Sequence, residues 1–176
     1  EPINNENYTG FLLNGQPYLL RGVCMHDDLE GKANDLNDDD YTQEFAIIQE
    51  LGCNFLRLAH YPHPKEVYDK CDQLGIIVQT EAPWVNKSTM NETEDYWTHL
   101  DGQCADMVNQ HYNHPCIMFW GVGNEINTSY TNTTEGKDFV KGKIEGYRNI
   151  IRTLLPGAMV GYTISHNTSD LLGVFN

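Results

Sequence analysis

Residues 116–125 read CIMFWGVGNE, an almost entirely apolar run that ends in an amide and a carboxylic acid. A continuous apolar run, rather than an alternating one, is typical of a strand buried on both faces of a parallel sheet. Apolar residues at helical spacing precede it at about Glu94–Tyr112 and follow it at about Thr134–Leu155. The stretch therefore predicts a strand between two helices, as in an α/β fold.

The same alternation of strands and helices extends along the chain. Asn14–Gly15 between apolar runs predicts a β-hairpin whose second arm continues into Val23–Met25. A helix is expected from about Asp38, with Phe45, Ile48 and Leu51 on its apolar stripe, and another from Pro64 to Gly75. Core strands are expected at about 18–25, 53–59, 76–81, 116–124, 159–162 and 171–175. No strand is followed by the glycine-rich loop of a dinucleotide or phosphate site.

Length and charge exclude several classes of protein. The chain has 176 residues, which is too few for a complete eight-stranded (β/α) barrel of ~250 residues. Lys plus Arg number 11 and Asp plus Glu number 25, so the formal net charge is −14. Such a surface repels nucleic acid and anionic membranes, and no apolar run reaches the ~20 residues of a membrane span. Neutral substrates such as sugars remain open.

The cysteines and the glycosylation sequons point to different compartments. The five cysteines form no CxxC pair and lie in or beside apolar segments, so most are expected to be buried free thiols, which favours a reducing compartment. Asn-x-Ser/Thr sequons favour a secretory route. They begin at Asn7, Asn86, Asn91, Asn127, Asn132 and Asn167. The sequence therefore leaves the localisation open.

Polar residues stand at the carboxyl ends of the predicted strands. They are His26, Asp27, Arg57, His60, Glu81, Asn124, Glu125 and, in a loop, His166. This edge of a parallel (β/α) barrel is where active sites are built. Each residue also has a structural alternative: a single histidine is more often a loop residue, and Arg57 could simply pair with Asp27 or Glu81.

Glu125 is the sharpest catalytic candidate. It follows an apolar strand, and partial desolvation there favours the protonated carboxyl of a general acid. Asn124 beside it can hydrogen-bond a hydroxyl without adding charge. The pair therefore suits a sugar, with one residue holding a hydroxyl and the other protonating the glycosidic oxygen. The alternative is that the two residues cap a following helix.

Several separated motifs resemble glycoside hydrolase family 2. Residues 120–125 (WGVGNE), preceded by Asn113-His114-Pro115, resemble the acid/base signature of the family. Residues 13–17 (LNGQP) and 21–27 (RGVCMHD) resemble its entry into the barrel. Further matches are residues 51–62 (LGCNFLRLAHYP), 71–78 (CDQLGIIV), 81–84 (EAPW) and 170–176 (DLLGVFN). The resemblance thus covers nearly the whole chain, in order.

This resemblance implies a fold and a division of the chain. The family fold is a TIM (β/α)₈ barrel, so the expected architecture is a partial barrel of about the first six strands, preceded by a short β-hairpin. Residues 1–17 would be a hairpin segment from a preceding domain. Residues 18–176 would be the incomplete barrel of the catalytic domain.

The resemblance also implies roles for individual residues in the retaining hydrolysis of a β-glycoside. Glu125 would be the general acid/base and Asn124 would hold the sugar 2-hydroxyl. Arg57 would lie under the nucleophile and keep it ionised. His26 and His60 would line the glycone subsite, and Asp27 is a weaker candidate for a hydroxyl contact. No cofactor is implied, and no metal site is expected, because the stretch after the third strand lacks the Glu and His that bind magnesium in the best-known β-galactosidase of the family.

The substrate and the nucleophile are the open points. The stretches around His26, His60 and Glu81 look most like β-galactosidases, with β-glucuronidases as the alternative. The family nucleophile is a Glu ending the seventh strand, downstream of Asn176, whereas Glu135 and Glu145 fall in the helix after the fourth strand. The expectation is an enzyme fragment that is inactive alone and that associates with itself or with the rest of the enzyme. The second hypothesis is a non-catalytic partial barrel that serves in binding or assembly.

Overall fold

The computed structural model describes residues 10–86, 92–126 and 133–163. The strands are β1 (Leu12–Leu13), β2 (Gln16–Pro17), β3 (Gly22–Met25), β4 (Phe55–Leu58), β5 (Ile77–Glu81), β6 (Ile117–Asn124) and β7 (Met159–Thr163). The helices are α1 (Asp38–Glu50), α2 (Lys65–Leu74), α3 (Glu94–His111) and α4 (Thr134–Leu154). Each helix therefore connects two consecutive strands of the set β3 to β7.

Strands β3 to β7 form one five-stranded sheet in sequence order, and every neighbouring pair is parallel. Consecutive strands lie side by side with a helix between them, as in a (β/α) barrel. The sheet does not close within the described residues, so the prediction of a partial barrel is confirmed. Five of the about six expected strands are present. The sixth, at 171–175, and His166 lie outside the described ranges.

The predicted hairpin is confirmed, but its second arm is shorter than expected. β1 and β2 pair antiparallel around Asn14 and Gly15, whose φ angles are 52° and 76°, as a two-residue hairpin turn requires. The expected continuation into β3 is wrong. The last hydrogen bond of the hairpin runs from the Tyr18 N–H to the Phe11 carbonyl at 3.0 Å, and β3 belongs to the other sheet. Phe11, just before β1, contacts Phe119 with ring centroids 5.6 Å apart.

Local sequence sets the ends of the helices. Asn37 caps α1 by accepting from the N–H groups of Asp39 and Asp40, and Asp40 accepts from the Asn37 N–H in return. The expectation for Leu51 is wrong. It is 64% exposed, because α1 has already ended at Glu50 and the chain turns at Gly52 (φ 67°) towards β4. Among the described helices, none is long and apolar enough to cross a membrane.

The core lies between the helices and the outer face of the sheet. Strand side chains at alternate positions point into it and are at most 2% exposed, namely Leu56, Leu58, Val78 and Trp120. Helical side chains cover them, including Val67, Cys71, Val108, Val140, Ile144 and Ile151. Burying one such apolar side chain contributes about 1.5–3 kcal/mol. The outer face therefore supplies most of the stability of the fold.

The inner face of the sheet differs from the sequence expectation of strands buried on both faces. Along β4, Leu56 and Leu58 are buried, whereas Phe55 and Arg57 are only partly buried. On β3, Cys24 is exposed. The inner face carries polar and charged side chains, and the described part of the chain covers it incompletely.

The prediction of buried free thiols is confirmed for three of the five cysteines. All five are free, and Cys71, Cys104 and Cys116 are buried. Burial raises the pKa of the Cys71 and Cys104 thiols to about 12, so both behave as neutral apolar groups. Cys24 is exposed and Cys53 is partly buried, because each lies at or beyond the margin of the core.

Candidate active site

The carboxyl ends of the five parallel strands bring most of the predicted residues to one edge. Arg57 comes from β4, Glu81 ends β5, Asn124 ends β6, and Thr163 ends β7. His60 follows β4 and contacts Arg57 directly. In sequence these residues are spread over more than a hundred positions, and the register of parallel strands makes them neighbours.

Glu81 is the centre of this cluster and is fully buried. Arg57 donates two hydrogen bonds to it, from Nε to Oε1 at 2.7 Å and from Nη2 to Oε2 at 2.9 Å. Gln79 Nε2 donates to Oε1 at 2.7 Å, and Thr163 Oγ1 donates to the same oxygen at 3.2 Å. A buried carboxylate is tolerated when it is paired and hydrogen-bonded in this way. Arg57 therefore pairs with Glu81 and not with Asp27.

Arg57, which Glu81 holds in place, also contacts Asn124 and His60. Its Nη2 donates to Asn124 Oδ1 at 2.8 Å and approaches His60 Nδ1 at 2.9 Å, while Nη1 lies 3.6 Å from Cys24 Sγ. Nη2 carries two N–H groups and also donates to Glu81 Oε2, so three acceptors share two protons and these contacts do not fix the tautomer of the His60 ring. The ion pair thus orients an amide and an imidazole at once.

Burial and the neighbouring Arg57 charge lower the pKa of His60, which favours the neutral ring. His60 Nδ1 also lies 3.4 Å from Glu81 Oε2. The His26 ring stands edge-on to His60, with centroids 4.8 Å apart. The two histidines predicted for one subsite are therefore adjacent.

Two glycines of the stretch 120–125 make room for this arrangement. A Cβ on Gly121 would lie 2.6 Å from Glu81 Cγ, and a Cβ on Gly123 would lie 3.0 Å from the Trp84 carbonyl oxygen. Any larger residue at 121 would displace the Glu81 side chain. Glycine inside an apolar strand is the sequence signal for such a close approach, and it identifies Gly121 as a site residue.

Glu125 follows directly after β6, in an uncommon backbone conformation. Its φ is 52°, and its N–H donates to the Thr163 carbonyl of β7 at 2.7 Å. Non-glycine residues in this left-handed region are rare and concentrate at functional sites. The helix-cap alternative does not hold for α4, because Thr133 caps that helix. Glu125 is partly buried, next to Asn124 at the edge that carries the cluster.

Asp27 does not join the cluster. It is 8% exposed and accepts a hydrogen bond from Tyr41 Oη at 2.8 Å, so it connects the end of β3 to α1. Burial, together with the nearby Asp27 charge, raises the pKa of Tyr41 and keeps it a donor. Along β3 and the residues after it, side chains alternate between the two faces of the sheet. His26 therefore faces the inner side with His60, and Asp27 faces the helices.

One group of side chains could offer three metal ligands, but its contacts are structural. Potential ligand atoms of Asp69, Asp72 and His114 lie within 4.8 Å of one another. Lys65 Nζ bonds Asp69 at 2.6 Å, and Asp72 accepts from the Cys116 N–H at 2.9 Å while contacting His114 Nδ1 at 2.7 Å. These bonds tie α2 to the start of β6, far from the cluster, and explain the Asn-His-Pro motif there.

Comparison with known proteins identifies the family. Residues 5–143 match the model of glycosyl hydrolases family 2, TIM barrel domain, and the chain belongs to this family. It is 36% identical to a β-glucuronidase of Bacteroides fragilis over 132 residues, which cover 72% of this chain and 19% of the relative. It is 35% identical to a β-galactosidase of Bacteroides ovatus over 120 residues, which cover 66% of this chain and 14% of the relative. The chain therefore spans less than a fifth of the length of these two relatives.

Solved structures agree on the fold. Bacteroides uniformis β-glucuronidase 2, covalently bound to cyclophellitol-6-carboxylate aziridine, superposes with a TM-score of 0.81 at 28% identity. The match covers 88% of this chain and 19% of that one. A β-glucuronidase of Parabacteroides merdae superposes with a TM-score of 0.79 at 30% identity, covering 91% of this chain and 20% of that one.

Proposed function

We propose that this chain carries the acid/base half of a retaining β-glycosidase, with Glu125 as general acid/base and Asn124 as a ligand of a sugar hydroxyl. The observation that carries the proposal is the hydrogen bond from Arg57 to Asn124, anchored by the buried Glu81. It holds a neutral amide in a fixed orientation beside a carboxyl group at the active edge of the barrel. Such preorganisation is what a glycosidase site requires.

The mechanism assigns one task to each side chain. Glu125 donates a proton to the glycosidic oxygen as the bond breaks, and later takes a proton from the attacking water. Asn124 holds a hydroxyl of the sugar ring through its amide. His60, whose Nδ1 contacts Arg57, presents Nε2 to the glycone, and His26 supports its ring edge-on.

The second carboxylate has to come from elsewhere. A retaining mechanism needs a nucleophile ~5–5.5 Å from the acid/base carboxyl. Glu81 does not suit this role, because it is fully buried and its oxygens already accept from Arg57, Gln79 and Thr163. We expect the nucleophile from sequence that follows this chain in the enzyme. Strands β3 and β7 are the open edges of the described sheet and would receive the remaining strands.

The substrate is a β-linked sugar, and two sugars are candidates for its glycone. The β-glucuronidases among the relatives favour a β-glucuronide. The motifs around His26, His60 and Glu81, the relative from Bacteroides ovatus and a net charge of −14 favour a neutral β-galactoside. The glucuronide fits at least as well as the galactoside, since a few local cations supplied by the rest of the enzyme would outweigh the net charge.

The test is hydrolysis by the protein expressed with all the sequence that its gene encodes. Nitrophenyl β-glucuronide and nitrophenyl β-galactoside are assayed side by side. Glu125→Gln should lower kcat/KM on the accepted sugar by about 10²–10⁴-fold. Glu135→Gln, an exposed glutamate at the start of α4, should leave it unchanged. Full activity in Glu125→Gln would contradict the assignment.

The 176-residue chain alone provides a separate check. We expect it to hydrolyse neither sugar and to associate, because the sheet formed by the described residues has two open edges and an inner face that they cover only in part. Light scattering would report the association. A stable monomer would contradict the association. Sugar binding by a gene-length protein that hydrolyses nothing would favour the binding-module hypothesis.

A further inference from the structure

Asn86 lies alongside Asn124 and is fastened to it through the backbone. Val85 forms a parallel bridge with Asn124. The Asn124 N–H donates to the Trp84 carbonyl, and the Asn86 N–H donates to the Asn124 carbonyl, both at 2.9 Å. The segment after β5 thereby extends the pairing with β6 to the last residue before Glu125. Asn86 itself has a φ of 58°, which turns the chain away from the sheet.

The side chains of the same two residues are also joined, and the donors can be assigned. Asn124 Oδ1 must face Arg57, because a guanidinium only donates. The amide nitrogen of Asn124 therefore faces Asn86 and donates to its Oδ1 at 3.2 Å. Arg57 and Asn86 hold opposite ends of one amide group. One N–H of Asn124 remains for a ligand.

We propose that Asn86 is a positioning residue that fixes the Asn124 amide so that its remaining N–H is presented to the hydroxyl on C2 of the sugar. The inference rests on the proposed function and deepens it. Without Asn86, Arg57 alone among the described residues restrains the amide side chain, and rotation about the bond between Cβ and the amide carbon carries the N–H away from the hydroxyl. With Asn86 in place, the sugar hydroxyl accepts a hydrogen bond from a donor that is already oriented towards it.

The backbone at position 86 suggests the matched variants. Asn, Asp and Gly tolerate a positive φ, whereas other residues are strained there. Asn86→Gly keeps the turn and removes the side-chain oxygen. Asn86→Asp keeps both the turn and an acceptor for Asn124. Asn14→Gly makes the same exchange at φ 52° in the β1–β2 turn, away from the cluster, and serves as the control.

The experiment measures kcat and KM of the gene-length enzyme on two substrates, the accepted nitrophenyl β-glycoside and its 2-deoxy analogue. Asn86→Gly should lower kcat on the 2-hydroxy substrate roughly five- to tenfold, the effect of one misdirected hydrogen bond. On the 2-deoxy substrate the change should stay below about twofold. Asn86→Asp should rescue the loss, and Asn14→Gly should match the parent on both substrates.

The outcomes separate this inference from the proposed function. A parent enzyme that hydrolyses neither substrate overturns the proposed function itself. If the parent is active and Asn86→Gly keeps the parent's kcat on the 2-hydroxy substrate, only the role of Asn86 is overturned. An equal loss on both substrates would show that Asn86 acts on folding or on Glu125 and not through the hydroxyl contact, and it would also overturn the inference.

Discussion

The two faces of the five-stranded sheet differ in what holds them: apolar packing on the outer face and specific polar contacts on the inner face. On the outer face, Leu56 and Leu58 are fully buried against helices, and any apolar residue of similar volume would serve. On the inner face, Arg57 and Glu81 form an ion pair whose nitrogen and oxygen atoms each have a specific partner. Adjacent residues of one strand thus serve stability on one side and geometry on the other.

Substitutions on the two faces should be costly for different reasons. Outer-face positions contribute burial that is spread over many contacts. Inner-face positions contribute little net stability, because desolvating the two charges costs about as much as their attraction returns. What the inner pair provides is the orientation of Asn124 and His60. Changes on the two faces should therefore affect different observables.

The largest expected effect comes from breaking the inner pair on one side only. Glu81→Leu leaves the Arg57 guanidinium without its carboxylate and should cost about 3–5 kcal/mol in the free energy of unfolding. Adding Arg57→Met should recover most of that stability while activity stays lost. Denaturant unfolding of the single and double variants measures the difference. A double variant as unstable as the single one would contradict the comparison.

On the outer face, we expect no second substitution to recover the stability that the first one removes. Leu56→Ala leaves a cavity and should cost about 2–5 kcal/mol, similar in size to the Glu81→Leu loss. Its effect on the active edge should be confined to lower stability, so the kcat/KM of the folded fraction should stay close to the parent value. A large loss of kcat/KM at full folding would show that the faces are not separable.

A smaller effect is expected at Gly121, which packs against Glu81 on the inner face. A Cβ there would lie 2.6 Å from Glu81 Cγ, so Gly121→Ala should cost about 1–3 kcal/mol and lower activity by displacing Glu81. Gly142→Ala is the matched control. Gly142 lies in α4 with nothing within 4 Å of its Cβ position, and the exchange should add about 0.4–1 kcal/mol. Stabilisation by Gly121→Ala would contradict the close approach.

The smallest effect is a pH dependence from a buried histidine. Burial lowers the pKa of His63, which is 3% exposed. Below pH ~6.5 the unfolded chain gains a proton there that the folded chain does not, so the free energy of unfolding should fall as the pH falls. Burial raises the pKa of Glu44, which acts in the opposite direction. His63→Gln should therefore reduce the loss of stability between pH 7.5 and 5.5, and exposed His99→Gln should not.

The sequence predicts the fold well because its signals are local. Apolar runs, helical spacing and the helix end at Gly75 each lie within one element, although the residue that caps α1 is Asn37 and not one of the aspartates that follow it. Parallel strands then bring their carboxyl ends together, which predicts Arg57, His60, Asn124 and Glu125 as neighbours of one edge. The fold therefore supplies the list of candidates before any contact is known.

The contacts themselves depend on register between strands distant in the chain, which the sequence does not specify. Glu81 emerges as the buried anchor because Gln79 and Thr163 reach it, and Thr163 is 82 residues away. Asp27 turns to α1 because strand residues alternate between faces, although it follows His26 directly. In the sequence, Asn86 is the first residue of a glycosylation sequon. Its bond to Asn124 becomes visible only in the structure, where the segment after β5 pairs with β6.

The proposed role of Glu125 as the acid/base of a retaining β-glycosidase has a direct chemical test. The most direct measurement uses Glu125→Ala in the gene-length enzyme with a dinitrophenyl β-glycoside, whose leaving group needs no acid. Glycosylation then proceeds, and the intermediate accumulates because water has lost its base. Azide, which needs no base, should restore turnover and give a β-glycosyl azide. No response to azide, or an α-glycosyl azide, would contradict this role of Glu125.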